Sequence, residues 1–143
     1  MSSEQILVVD DDKNLRWVLQ TQLEDMHYAV TTASDGEQAL ALIDKEPPAL
    51  VLTDLNMPGL SGLELLDRIH AAYPEMPVVI ITAFGTIQNA VQAMKAGAYN
   101  YLTTPIDFDR SAPIFNRAWS NPHHLADVRS LRASLDRNVA SSD

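Results

Sequence analysis

No cysteine occurs among the 143 residues. That excludes a disulfide, a thiolate zinc site and a thiol nucleophile, and leaves the redox compartment unspecified. Cations are scarce too: ten Lys and Arg stand against nineteen Asp and Glu, a formal charge of −9. Nucleic-acid phosphates are gripped by clustered cations, so direct binding of nucleic acid by this chain is not expected. No apolar run approaches the roughly eighteen residues of a membrane-spanning helix, so no membrane association is expected. Met1-Ser2-Ser3-Glu4-Gln5 puts no basic stretch ahead of its apolar run; a secretory leader is not expected, and the location is read as cytoplasmic. With 46% hydrophobic and 20% charged residues, the chain reads as one ordinary globular domain with an extension, long enough to bury a core.

What is present is a regular alternation. Ile6-Leu7-Val8-Val9 is a short apolar run rich in β-branched residues, the pattern of a strand buried on both faces. An amphipathic helix follows from Asn14 to Met26, with Leu15, Val18, Leu19 and Leu23 on one side. Tyr28 to Thr32 is a second strand, and Ser34-Asp35-Gly36 leads into a helix stopped by Pro47-Pro48. Ala49 to Thr53 is a third strand, ending at Asp54. Met57-Pro58-Gly59 makes a turn, and Ser61 caps a helix through Ile69. Val78 to Thr82 is the fourth strand; a helix from about Ile87 to Lys95 closes at Gly97. Tyr99 to Thr103 is the fifth, and a last helix begins near Asp107 to Asp109. Strand–helix alternation of this kind specifies an α/β fold with right-handed crossovers covering both faces of a parallel sheet.

In such sheets ligands bind beyond the carboxyl ends of the strands, at the topological switch point. Asp10, Asp11, Asp12, Asp54, Thr82 and Thr104 all stand at strand C-termini, so side chains far apart in sequence converge on one rim. Carboxylates brought this close repel, and need a metal ion, a lysine or both to stay ionised together. Oxygen ligands at strand ends suit a hard cation, magnesium above all. Asp54 could then accept a phosphoryl group by in-line attack, with the Thr82 hydroxyl bonded to a phosphoryl oxygen and Ala83 leaving room. A Lys-Pro after the fifth strand would add a cation; this chain has Thr104-Pro105.

Val8-Val9-Asp10-Asp11-Asp12, Thr53 to Gly59, Gly62, Ile81-Thr82-Ala83, Gly97-Ala98 and Tyr101 to Pro105 together resemble the receiver domain of two-component response regulators. Asp12 to Leu19 and Ala96 to Leu102 further resemble the nitrogen-regulatory NtrC subfamily. The resemblance implies a flavodoxin-like, doubly wound five-stranded parallel sheet over residues 1–120. Asp54 would be the phosphoacceptor, served by a cognate sensor histidine kinase. Mg²⁺ would be ligated by Asp11, Asp54 and the Asn56 carbonyl, with Asp10 acting through water. Thr82 and Tyr101 would form a switch pair, and the surface of the fourth and fifth helices would report the state. The family's lysine falls at Thr104, and the bond before Pro105 would be cis, which only X-Pro bonds adopt cheaply. In that subfamily the receiver precedes an ATPase domain and a DNA-binding domain, and neither is expected within these residues.

Residues 121–143 read differently. Asn121-Pro122 breaks the preceding helix, and Leu125, Val128, Leu131, Leu135 and Val139 then recur at helical spacing, a short amphipathic tail. It would pack on the domain or pair with its copy, so a homodimer is expected through either this tail or the fourth and fifth helices. His123 and His124 point apart on a helix and make no metal site; His27 and His70 are isolated. Pro113 falls in the first turns of the last helix, where it is tolerable, and Ser111 and Ala112 replace larger apolar residues there. The chain is therefore read as a non-enzymatic phosphoacceptor for transcription regulation. The leading rival is a pseudo-receiver, an interaction module impaired in phosphorylation by Thr104. A phosphatase using an aspartyl phosphate would need a second aspartate where Asn56 stands.

Overall fold

The computed structural model describes residues 5–120 apart from Phe84, Pro105 and Asp107. Five parallel strands lie in the order β2-β1-β3-β4-β5: β1 (Gln5–Val9), β2 (Ala29–Ala33), β3 (Leu50–Asp54), β4 (Val78–Thr82) and β5 (Asn100–Thr103). Between and after them run α1 (Lys13–Asp25), α2 (Gly36–Lys45), α3 (Gly62–Ala72), α4 (Ile87–Lys95) and α5 (Phe108–Ser120). The expected doubly wound α/β sheet is thus present. The tail after residue 120 and the bond to Pro105 lie outside the described residues.

Side chains of a strand alternate between faces, so each apolar run divides between two cores. Leu7, Val9, Val51, Val78 and Ile80 meet Ala39 and Ile43 of α2, Leu65, Leu66 and Ile69 of α3, and Ala93 of α4. Ile6, Val8, Leu50, Leu52, Val79 and Ile81 meet Leu19 and Leu23 of α1 and Phe115 of α5. This is why β1, β3 and β4 are apolar at nearly every position. Sheet order reverses direction between β1 and β3, and the crevice at their carboxyl ends is the switch point where such folds bind ligands.

Local chemistry fixes the boundaries and shifts several by a residue or more. Helix α1 starts at Lys13 because Asp12 caps it, its Oδ1 accepting from the N–H groups of Asn14 at 2.9 Å and Leu15 at 3.3 Å. It ends at Asp25 in a Schellman turn, with Tyr28 N–H donating to Leu23 O at 3.1 Å and His27 N–H to Glu24 O at 2.9 Å. That turn engages Tyr28, so β2 begins at Ala29 rather than Tyr28. Helix α3 has a full capping box between Ser61 and Glu64 and continues past Ile69 to Ala72. Helix α4 spans Ile87–Lys95 as expected, and Gly97 adopts φ +105°. Pro113 lies deeper in α5 than its first turn, so it removes a helix hydrogen bond instead of occupying a free N–H position. Ser111 is buried, and Phe115 anchors this helix to the sheet.

Candidate functional site

Three of the aspartates at the rim are brought together. Carboxylate oxygens of Asp10, Asp11 and Asp54 all lie within 4.8 Å of one another. Asp10 follows β1 and is 1% exposed; Asp54 ends β3 and is half-buried; Asp11 is exposed. The fourth, Asp12, is turned to capping α1, which resolves its role as structural.

Asp10 is held from two sides. Its Oδ1 accepts from the N–H of Asp12 at 2.8 Å, and its backbone carbonyl accepts from Arg16 Nη1 at 2.7 Å. Its Oδ2 is buried and has no hydrogen-bond partner among the described residues. Burial pushes the Asp10 carboxyl up to about 6; the Asp12 N–H opposes this, and the charges of Asp54, Asp11 and Asp12 add to it. The Asp54 carboxyl is likewise raised, first by burial and then by Asp11 and Asp12, against the N–H groups of Leu55 and Asn56. An orphaned buried carboxylate oxygen beside two more carboxylates is the donor set of a hard divalent cation, so these residues fit Mg²⁺.

The loop after β3 is seated tightly. Leu55 N–H donates to Ile81 O at 3.0 Å, and Gly62 N–H to Leu55 O at 2.9 Å. A Cβ at Gly62 would stand 2.8 Å from Leu55 Cα and against the Asp54 carbonyl, so α3 begins in direct contact with the strand that carries Asp54. Asn56 is exposed just beyond it.

On the far side of Asp54, Thr82 ends β4 and is 2% exposed. Its carbonyl accepts from Thr104 N–H at 2.9 Å, which ties the end of β5 to the rim. Tyr101 packs against the core of the α2–α4 face, and its hydroxyl is buried without a partner among the described residues. Gly85 covers that ring: a Cβ there would lie 3.1 Å from Tyr101 Oη. His27 and His70 are exposed. Sequence reasoning missed Arg16 and Gly85, and named Gly62 only as part of the family resemblance, without its contact. These roles are contacts across the fold, and the only local hint was that Gly62 and Gly85 stand beside the two loops flanking Asp54 and Thr82.

A family profile described as the response regulator receiver domain matches residues 6–113. This chain belongs to that family. Among similar curated proteins is the DNA-binding transcriptional regulator NtrC of Salmonella typhimurium, 36% identical over 129 residues, covering 90% of this chain and 28% of that protein. Response regulator protein PilR of Pseudomonas aeruginosa is 40% identical over 110 residues, covering 77% of this chain and 25% of that protein. The chain therefore spans less than a third of the length of these relatives. The crystal structure of the receiver domain of NtrX from Brucella abortus superposes with a TM-score of 0.76 at 40% identity, covering 80% of this chain and 98% of that one. No helix among the described residues is long and apolar enough to cross a membrane.

Proposed function

We propose that this receiver domain accepts a phosphoryl group on Asp54 from a sensor histidine kinase and passes the change to a transcriptional output. The observation that carries this reading is the gathering of Asp10, Asp11 and Asp54 around the buried, unpartnered Oδ2 of Asp10. An Asp54 carboxylate oxygen attacks phosphorus in line. The new P–O bond forms as the P–N bond to the donor imidazole breaks, and the leaving nitrogen keeps the electron pair. Asp10, Asp11, Asp54 and the Asn56 carbonyl would hold Mg²⁺, which when bound supplies the positive charge that offsets the carboxylates and the incoming anion.

The acceptor is consumed in this step, so the domain is a partner in the kinase's chemistry and not itself an enzyme. Thr82, itself buried, bonds a phosphoryl oxygen through its hydroxyl, and that pull is relayed through the segment between β4 and α4 to the half-buried Tyr101 ring. The output face is α4 with α5. Ile87, Val91 and Met94 stand one above another on α4 at 84%, 47% and 48% exposure, an apolar stripe suited to a homodimer. Relatives named as DNA-binding regulators support a transcriptional output supplied by domains beyond this receiver.

Thr104 favours a second reading, an interaction module indifferent to phosphate. Its short side chain carries no charge. An opposite charge about 4 Å from a carboxylate is worth roughly 4 kcal/mol at an effective dielectric of 20 before desolvation. Intact mass after incubation with acetyl phosphate separates the two readings. The proposal expects a Mg²⁺-dependent phosphoryl adduct that is lost in Asp54→Asn. Absence of an adduct here but its presence in Thr104→Lys would mean that the threonine disables the switch, and absence in both would leave the interaction module.

A further inference from the structure

Arg16 lies near the start of α1, half-buried, with Nη1 2.7 Å from the backbone carbonyl of Asp10. A guanidinium is charged at every accessible pH, so this bond fixes a permanent positive charge beside the acidic rim. Asp10, Asp11 and Asp54 crowd their oxygens within 4.8 Å, while Thr104 stands where a lysine is expected. We propose that Arg16 is the positioning residue that supplies this rim with its fixed cation, favouring the phosphoryl anion while anchoring the end of β1. The inference rests on the phosphoacceptor reading above.

Charge and anchoring make opposite demands, which is what renders the idea testable. A positive charge next to the cluster repels Mg²⁺ and attracts a phosphoryl group. A purely structural tether, holding the end of β1 so that Asp10 and Asp11 converge, would help both ligands alike. Glutamine at this position keeps a donor for the Asp10 carbonyl and a good helix former but loses the charge.

The experiment measures Mg²⁺ binding by calorimetry, then beryllofluoride binding at saturating Mg²⁺, on the chain, Arg16→Gln and Arg16→Lys. Arg16→Gln is expected to bind Mg²⁺ a few-fold tighter and beryllofluoride about tenfold weaker, the order expected for one partly screened unit charge. Arg16→Lys is expected to restore most of the anion affinity. Added salt should weaken beryllofluoride binding by the unsubstituted chain more than by Arg16→Gln. Weakening of both ligands together in Arg16→Gln, or no change in either, overturns the role of Arg16. No beryllofluoride binding by the unsubstituted, Mg²⁺-loaded chain would instead overturn the phosphoacceptor reading itself.

Discussion

The carboxylate of Asp10 is bound through one oxygen to the N–H of Asp12 at 2.8 Å, and its other oxygen is buried without a partner among the described residues. Burial raises this carboxyl from 3.8 to about 6. The folded state thus holds more protons than the unfolded chain between these values, so metal-free stability falls as pH rises through that window. Asp54, raised as well, adds in the same direction. A shift of this size corresponds to at most about 3 kcal/mol. Urea unfolding without metal should therefore show a midpoint that drops between about pH 4 and 7. Asp10→Asn should flatten that drop, and millimolar Mg²⁺ should reverse it for the unsubstituted chain only.

The contact between Gly62 and the backbone of Asp54 leaves no room for a methyl group, and backbone cannot move aside cheaply. Gly62→Ala is expected to cost about 2 kcal/mol, the usual scale of overpacking at a closed contact. Thermal unfolding reads this directly. An unchanged melting temperature would mean that the loop between β3 and α3 is softer than it looks.

Tyr101 presents the reverse situation, a buried hydroxyl beneath Gly85 with no partner among the described residues. Removing an unsatisfied buried polar atom relieves its desolvation cost, so Tyr101→Phe should stabilise the fold by about 1 kcal/mol. A loss of stability in denaturant titration would show that the hydroxyl has a partner in solution.

How far the sequence carried differs by element. Val78 to Thr82 and Ile87 to Lys95 could be bounded to the residue, because a continuous β-branched run and a glycine at C′ are local signals. The rim aspartates could be placed because strand ends in a parallel sheet share one edge. Asp12 could not be separated from Asp10 and Asp11 by type alone; only the start of α1 gives it to the helix. The bond from Arg16 and the close approaches of Gly62 and Gly85 depend on how neighbouring elements pack, which no periodicity encodes.

His27 is the one described non-glycine residue with positive φ, at 72°, in the turn that ends α1. A Cβ is unfavourable there by roughly 1 kcal/mol, so His27→Gly should stabilise the protein by about that amount despite its cost in chain entropy. Chemical denaturation tests this, and destabilisation would mean that the imidazole makes a compensating contact.

The most direct test of the central claim is the location of the phosphoryl group. Borohydride reduces an aspartyl phosphate to homoserine, which peptide mass mapping then places in the chain. After treatment with acetyl phosphate and Mg²⁺, the expected result is homoserine at position 54 alone, absent when Mg²⁺ is withheld. Homoserine at position 10 or 11, or at no position, would contradict the assignment of Asp54 as the acceptor.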